Sequence, residues 1–442
     1  MRSRHPIEAS RTARLCPVVA VLAVAAIACS PSPPAPTPPA PKPVAAKPEV
    51  KKTAPEDPVA RARRIHREAL VLDAHCDALM RVVDDGIDLT VRNAEGHVDL
   101  QKLHDGGVDA QMFALWADPD EWKGKYRQRL DAMIGAYDAM IAKSGGGLVR
   151  ATTASDAERA ARDGKIAAFL GLEGAYAIDG DPAALGDLYD RGVRYVTLTW
   201  WHNTSFADGS GDKPRWHGLN DRGRQLVREM NRLGMIVDVS HASDETFFDV
   251  LETTSAPVIA SHSGARAIAE HHRNLSDDML RALAKNGGVV GVNFVAGFLD
   301  AEWGKRAEAL REALKPQYAI IDKRYAKEPG RARKAQWALF GEESKKFPPV
   351  PLAKLVDHIE HAVRVAGVDH VGIGSDFDGF GVGPVGISSA ADLPRLTEAL
   401  AARGFEDGDI VKILGGNFLR VFREVVDAAP RGGHADGGVA GR

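Results

Sequence analysis

Six residues with metal-binding side chains stand at the ends of short apolar runs in the sequence. They are His75, Asp77, Glu173, His241, His262 and Asp376. Each run is typical of a buried strand in a parallel sheet, and residues at the carboxyl ends of such strands meet at one edge. Three imidazoles and three desolvated carboxylates at one edge favour a cation, because the carboxylates would otherwise repel one another. Ligands without a thiolate favour Zn²⁺, with Mn²⁺ or Co²⁺ as alternatives, and a bridging carboxylate would hold two ions about 3.5 to 4 Å apart.

The local sequence around these residues strengthens the metal prediction. Along an extended chain, alternation points His75 and Asp77 to the same side. His241 and His262 end two runs that a predicted helix connects, so they belong to neighbouring strands of a βαβ unit. Glycines on both sides of Glu173 allow backbone and ligand to come close. A single histidine at a strand end is more often a hydrogen-bonded structural residue, so the prediction depends on the whole set.

Eight apolar runs alternate with helical patterns from residue 69 onward. The runs are residues 70–74, 108–115, 166–172, 193–199, 235–239, 257–260, 289–294 and 370–374. The helical patterns are residues 100–104, 126–143, 182–189, 221–233, 244–253, 277–285, 352–366 and 393–402. This alternation predicts an α/β fold, a (β/α)8 TIM barrel, whose active site lies at the carboxyl ends of the strands.

Two segments lie outside the simple repeat. Residues 298–349, after the seventh predicted strand, are rich in charges and contain Trp303, Trp337 and Phe340. We predict that they form a mostly helical insertion, which is a candidate lid or substrate wall. Residues 407–426 are predicted to form a closing helical segment, and the Gly-rich residues 429–442 a disordered tail.

The remaining histidines give weaker signals. His358 and His361 lie on one face of a predicted helix, but that helix is on the outside of the barrel, so we expect both side chains to face solvent. His271 and His272 are predicted to be loop residues.

The first 58 residues have the pattern of an exported protein. Residues 1–28 resemble an export signal, because arginines precede an apolar run that is shorter than a membrane span of about 20 residues. Residues 26–29 resemble a bacterial lipobox, in which Cys29 is lipidated; plain cleavage after Ala28 is the alternative. Residues 30–58 are rich in Pro, Ala and Lys and are predicted to be an extended linker. We expect a membrane-anchored lipoprotein of the cell envelope, periplasmic or on the outer surface, with its catalytic domain at residues 59–428.

Composition excludes nucleic acid as a partner. The 442 residues carry 57 Lys and Arg against 60 Asp and Glu, a formal net charge of −3, so no positive field exists to attract it. Two of the three cysteines, Cys16 and Cys29, lie in the export segment, which leaves Cys76 without a disulfide partner. A core of apolar side chains must therefore stabilise the fold, and a homodimer is compatible with this composition.

The residues around the candidate ligands resemble the membrane (renal) dipeptidase family of zinc metallopeptidases. The matching pieces are residues 71–77, 171–174, 237–241, 256–263, 273–278, 291–294, 370–379 and 416–421. The resemblance implies that His75 and Asp77 bind one zinc ion, that His241 and His262 bind a second, and that Glu173 bridges them. It also implies that Arg273 binds the carboxylate of the substrate and that Asp376 handles protons beside the bridging hydroxide.

The sequence departs from the family pattern at two positions. Trp200 replaces a histidine expected after the fourth strand, and Phe298 replaces a tyrosine expected after the seventh. Both positions concern substrate contacts. His202 points to the same side as Trp200 if the chain stays extended, so it is a candidate replacement that would stabilise the oxyanion. In the alternative, His202 is a loop residue and Trp200 lines the pocket.

The family resemblance and the ligand set predict an enzyme that hydrolyses small dipeptides with a hydroxide shared by two zinc ions. The resemblance also implies tolerance of a D-residue at the C-terminal position. One alternative is an amidohydrolase-type enzyme for another small amide, lactone or ester. Many such barrels bridge their metals with a modified lysine after the fourth strand, and residues 198–208 contain no lysine. The other alternative is a non-catalytic lipoprotein that binds metal or peptide, which would not need Asp376.

Overall fold

A closed barrel of eight parallel strands forms the centre of the protein, and a computed structural model describes residues 56–178 and 183–427 of the chain. The described residues contain nine strands, of which eight form the barrel and one lies outside it. They are β1 Leu72–Cys76, β2 Ala110–Trp116, β3 Leu148–Arg150, β4 Ile166–Glu173, β5 Val193–Thr197, β6 Ile236–Asp238, β7 Ile259–Ser263, β8 Val289–Val292 and β9 Val371–Ile373. Pairing of β2 with β4 and of β9 with β1 closes the ring. The predicted (β/α)8 barrel is confirmed.

Each of the eight predicted runs overlaps one strand of the barrel, whereas β3 is absent from the sequence prediction. β3 lies beside the first half of β4 and is not part of the ring. Of its three residues, Leu148 alone is buried, so the segment lacks the apolar run by which the other strands were recognised. The insertion that follows the seventh barrel strand therefore follows β8 in this numbering.

Helices precede, connect and follow the strands in the part of the chain that the structure describes. They are α1 Pro58–Glu68, α2 Ala78–Asp85, α3 Leu100–Asp105, α4 Tyr126–Lys143, α5 Ala154–Arg162, α6 Ala183–Asp190, α7 Asp221–Leu233, α8 Asp244–Thr253, α9 Asp277–Asn286, α10 Ala296–Leu299, α11 Ala301–Arg324, α12 Pro329–Ser344, α13 Leu352–Ala366, α14 Leu393–Arg403, α15 Asp407–Val411 and α16 Asn417–Phe422. The predicted bounds of α4, α7, α8 and α13 are confirmed to the residue. Capping residues explain this accuracy for α7. Asn220 caps its amino end, where the side chain accepts a hydrogen bond from the Gly223 amide, and Gly234, with φ 75°, caps its carboxyl end.

The closing segment after α15 packs against the amino-terminal side of the barrel strands. The ring of Phe422 lies 5.0 Å from that of Phe169, which precedes Glu173 on β4. Phe418 packs so closely over Gly372 of β9 that a Cβ added to this glycine would lie 2.5 Å from the Phe418 ring. The aromatic side chains of α16 thus fill one end of the barrel with apolar groups, and the polar residues collect at the other end.

The predicted helical insertion is confirmed as α10, α11 and α12. Arg333 of α12 forms salt bridges with Asp84 at 2.8 Å and with Glu121 at 2.7 Å, and its guanidinium lies 5.4 Å from the centre of the Trp116 ring. Trp116 is the last residue of β2 and pairs in register with Glu173, so both side chains point to the same face of the sheet. Helix α12 therefore covers part of the barrel mouth beside Glu173.

The expectation that His358 and His361 face solvent is wrong. Both are buried, His358 completely. The His358 Nδ1 atom accepts a hydrogen bond from the Ala265 amide, and its Nε2 atom lies 3.1 Å from the Leu299 carbonyl oxygen. The loop after β7 and the short helix α10 cover this face of α13, so these histidines serve packing, and no metal role is assigned to them.

Several predictions concern residues outside the described ranges. The export signal, the lipobox with Cys29, most of the linker and the Gly-rich tail fall there. Among the residues that are described, no helix is both long enough and apolar enough to cross a membrane.

Candidate metal centre

The six candidate ligands lie at the carboxyl ends of five barrel strands. His75 is on β1 and Asp77 follows it, Glu173 ends β4, His241 follows β6, His262 is on β7 and Asp376 follows β9. Except for Asp376, which is slightly more accessible, all are buried. The fold thus brings together side chains that are separated by up to three hundred positions in the chain, as expected for the rim of such a barrel.

Glu173 lies between two groups of histidine nitrogens. Its Oε2 atom is 3.5 Å from His75 Nε2, whereas its Oε1 atom is 2.9 Å from His241 Nε2 and 3.6 Å from His262 Nε2. The Nε2 atoms of His241 and His262 are themselves 2.9 Å apart. Each oxygen of one carboxylate therefore faces a different set of imidazoles, which is the arrangement of a bridging ligand.

Asp77 and Asp376 form the second part of the cluster, on the side of His75. The Oδ2 atom of Asp77 is 3.6 Å from His75 Nε2, and one ligand atom from each of His75, Asp77 and Asp376 lies within 4.8 Å of the others. Gly379 is required beside them, because an added Cβ would lie 2.3 Å from both Asp376 Oδ1 and Asp77 Oδ2. Asp376 has φ 65° and His241 has φ 66°, a conformation that is costly for most residues and is often found at functional sites.

The polar atoms and charges of the cluster fit a metal ion. His75 Nε2 and Asp77 Oδ1 are buried and have no hydrogen-bond partner, an arrangement that is expensive unless something else binds them. Burial holds the pKa values of His241 and His262 well below their usual range, which keeps these imidazoles neutral and able to bind a cation. Burial also raises the pKa values of Asp77 and Asp376, with mutual repulsion of the acidic groups adding to the effect. A cation would relieve this repulsion.

Hydrogen bonds from buried residues orient two of the histidines. The Tyr195 hydroxyl is 2.9 Å from His75 Nδ1, and the Ser261 hydroxyl is 2.7 Å from His262 Nδ1. Ser261 in turn donates to the Asp238 carboxylate at 2.6 Å. Such contacts fix the ring that a ligand presents to a metal. The sequence analysis missed these residues, although a buried aspartate in an otherwise apolar strand was an available signal at Asp238.

Arg273 lies beside the cluster with unused hydrogen-bonding capacity. Its side chain is buried, one guanidinium nitrogen donates to the His262 carbonyl oxygen at 3.0 Å, and its Nε atom has no partner. Burial lowers the pKa of Arg273 to about 10, so the group is still charged at neutral pH. A buried cation with a free donor is suited to bind a carboxylate.

Of the residues predicted to contact substrate, Trp200 and Phe298 lie beside the metal centre, whereas His202 does not. The Trp200 ring lies 6.3 Å from the His241 ring, and the Phe298 ring lies 5.6 Å from the Arg273 guanidinium, so both are at the centre. His202 is turned away, since its Nδ1 atom is 3.4 Å from Asp212 Oδ2 and 46% of its side chain is exposed. This position favours the alternative in which His202 is a loop residue.

Trp201 is a neighbour of the cluster that the sequence analysis did not select. Its ring lies 6.2 Å from the His241 ring and 6.2 Å from the Phe298 ring. An extended chain would point Trp201 away from Trp200, but the chain is irregular after β5 ends at Thr197. Both tryptophans therefore reach the same histidine.

Comparisons with known proteins identify relatives over most of the chain. Residues 59–433 match the profile of the family described as Membrane dipeptidase (Peptidase family M19). The dipeptidase verJ of Clonostachys rogersoniana is 31% identical over 390 residues, which are 85% of this chain and 89% of that protein. The crystal structure of the probable dipeptidase PvdM from Pseudomonas aeruginosa has a TM-score of 0.73 and 28% identity, and the match covers 85% of this chain and 100% of that one. A metallo peptidase from Rhodobacter sphaeroides, liganded with a phosphinate mimic of the dipeptide L-Ala-D-Ala, has a TM-score of 0.67 and 26% identity, with 81% and 99% covered.

Proposed function

Because the chain belongs to the membrane dipeptidase family, peptidase family M19, and is a metallo-dipeptidase by that membership, we propose that it hydrolyses dipeptides with two zinc ions. The observation that carries the proposal is the position of Glu173 between His75 on one side and His241 with His262 on the other. His75 and Asp77 would hold one ion, His241 and His262 the other, and Glu173 would bridge them. Bound zinc would supply the acidity that activates water near neutral pH and the positive charge that polarises the peptide carbonyl.

Asp376 is proposed to carry the proton during hydrolysis. It lies next to Asp77 and His75 at the rim, within reach of a water molecule held there. Its carboxylate would accept the proton of the attacking water and deliver it to the nitrogen of the leaving amine, so that the peptide C–N bond breaks and a neutral amine departs.

Arg273 is proposed to bind the carboxylate of the dipeptide's C-terminal residue. We expect Arg273→Met to raise KM for free dipeptides by about tenfold or more, because a buried charge-assisted hydrogen bond is lost. C-terminally amidated dipeptides should lose much less, and they provide the control. The measurement is a comparison of KM for both substrate types at unchanged metal content. Equal losses on both would show that Arg273 serves structure through its bond to the His262 carbonyl.

The proposed substrates include dipeptides with a D-residue at the C-terminal position. Support comes from the Rhodobacter sphaeroides relative, whose ligand mimics L-Ala-D-Ala. The test is a panel of L-L, L-D and D-D dipeptides on zinc-loaded protein. We expect cleavage of the L-L and L-D substrates; failure on every L-D dipeptide would overturn this part of the proposal, and failure on the whole panel would overturn the dipeptidase function.

The proposed location is the cell envelope, with a lipid on Cys29 as the membrane anchor. We expect Cys29→Ala to release the protein into the soluble fraction, because the acyl chains are the proposed tether after signal removal. Fractionation of cells that express the wild type and the variant measures this directly. A wild-type protein that is fully soluble would contradict the lipoprotein proposal and leave plain cleavage after Ala28.

A further inference from the structure

Aromatic rings form a continuous surface beside the metal centre, which we call the aromatic wall and define as Trp200, Trp201, His271 and Phe298. The ring of Trp201 lies 6.2 Å from that of Phe298 and 6.3 Å from that of His271. The rings of His271 and Phe298 are 4.5 Å apart, and those of Trp200 and Trp201 are 6.4 Å apart. Trp200, Trp201 and His271 are partly exposed, so the wall can be reached by a ligand.

The aromatic wall extends from the candidate carboxylate anchor to the metal ligands. At one end, the Arg273 guanidinium lies 5.6 Å from the Phe298 ring; at the other, the Trp201 ring lies 6.2 Å from that of His241. In a dipeptide, the Cα atom of the C-terminal residue is bonded to both the carboxylate carbon and the nitrogen of the scissile bond. When a dipeptide is bound at Arg273 and at the metals, its C-terminal side chain therefore branches off between these two ends of the aromatic wall.

The aromatic wall carries no charge of its own at neutral pH. Burial lowers the pKa of His271 to about 3, with the neighbouring His272 and Arg273 adding to the shift, so its imidazole is neutral. Arg273 is a charged neighbour along the wall, and the substrate carboxylate would neutralise it; Arg311 and Arg266 act on His271 more weakly. Aromatic faces of this kind gain most from contact with apolar or aromatic groups and offer nothing to replace the hydration of a carboxylate or hydroxyl.

The loop that presents Trp201 is held in place by hydrogen bonds from several directions. The Tyr176 hydroxyl donates to the His202 carbonyl oxygen at 3.0 Å, the Asn203 side chain donates to the Lys213 carbonyl at 2.8 Å, and the Ser210 amide donates to the His241 carbonyl at 2.7 Å. A Cβ added at Gly211 would lie 2.6 Å from the Trp201 carbonyl oxygen, so the two segments are in close contact. Because the loop is already fixed, binding costs little conformational entropy, and the wall can select substrate side chains by their shape.

We infer that the aromatic wall, with Trp201 at its centre, receives the side chain of the substrate's C-terminal residue and makes the enzyme select dipeptides with a bulky apolar residue there. The inference rests on the proposed dipeptidase function, and it names the substrate class within that function. Trp201 is a specificity-determining residue in this scheme, since it touches the substrate side chain and not the reacting atoms.

The test compares kcat/KM on Ala-Phe, Ala-Leu, Ala-Ser and Ala-Asp for the zinc-loaded wild type and for Trp201→Ser. We expect the wild type to favour Ala-Phe and Ala-Leu over the two polar substrates by about tenfold or more, the scale on which apolar pockets discriminate. Trp201→Ser should lose about tenfold on Ala-Phe and less than about threefold on Ala-Ser, and Trp201→Phe should recover most of the preference. The matched control is Phe248→Ser, which removes an aromatic ring from α8 that is 40% exposed and should leave the panel unchanged.

A flat substrate profile in the wild type, or equal losses on all four dipeptides in Trp201→Ser, would overturn the inference while leaving the dipeptidase function intact. Failure to cleave any dipeptide would overturn the dipeptidase function instead. In that case, calorimetric titration of the metal-loaded protein with free phenylalanine and free serine still tests the role of the aromatic wall. The inference is supported if phenylalanine binds more tightly than serine and if Trp201→Ser abolishes this difference. Equal binding of the two amino acids by the wild type contradicts it.

Discussion

Replacement of Glu173 by glutamine should remove most of the bound metal and, with it, nearly all activity. Each oxygen of this carboxylate faces a different set of histidine nitrogens, at 3.5 Å for His75 and at 2.9 Å for His241. An amide of the same shape carries no charge to offset two cations, and it presents a donor where a ligand atom is needed. The measurement is the metal content per chain after dialysis, together with dipeptide hydrolysis. We expect the wild type to retain about two ions, as a two-metal site requires, and the variant to retain few.

A matched control for this change is Glu302→Gln on α11. Glu302 is exposed and pairs with Lys305 on the same helix, so its conversion to an amide should change neither metal content nor activity. Two ions per chain in Glu173→Gln would show that Glu173 is not the bridge. Loss of metal in the control as well would point to instability of the protein.

Replacement of Asp376 by asparagine should leave the metal in place and lower kcat by about a hundredfold or more, the scale of a lost general acid–base group. The change is mild for the backbone, because φ is 65° at this position and asparagine tolerates that conformation as well as aspartate does. It is severe for the chemistry, because an amide cannot accept the proton of the attacking water. KM should change little, since the variant keeps Arg273 and the aromatic wall.

The control for Asp376→Asn is Asp278→Asn in the first turn of α9, where the side chain is 85% exposed. It should turn over dipeptides at the wild-type rate. A wild-type kcat in Asp376→Asn, with metal bound, would exclude Asp376 as the proton carrier. Loss of metal in Asp376→Asn would instead make Asp376 a ligand.

The barrel, and the meeting of the candidate ligands at its rim, were predictable because both follow from a local pattern. Each strand of the ring lies in a short apolar run, and each candidate ligand stands at or shortly after the end of one, as Glu173 does on β4. Strand β3 was not predicted, because a single buried leucine in three residues gives no periodic signal. The bounds of helices such as α7 were predictable because capping residues mark where the chain leaves the helix.

The other parts of the site depend on contacts between distant segments, which local patterns do not encode. Trp201 reaches His241 because the chain leaves the extended conformation after β5, whereas period-two alternation placed it on the opposite side from Trp200. Tyr195 reaches His75 from another strand because Gly171 leaves room for its ring, where a Cβ would lie 2.0 Å away. His358 is buried because the loop after β7 and helix α10 cover a face that the barrel pattern alone assigns to solvent.

The central claim is that the residues at the strand ends would hold two metal ions and that the protein needs both to hydrolyse a peptide bond. A zinc titration of metal-free protein tests it most directly. The readout is hydrolysis of dialanine as Zn²⁺ is added in steps to chelator-treated protein. We predict no turnover without metal and a rate that reaches its plateau at about two zinc ions per chain, with full loss when chelator is added again. Hydrolysis that persists in metal-free protein, or no cleavage of dialanine with two ions bound, would contradict the account.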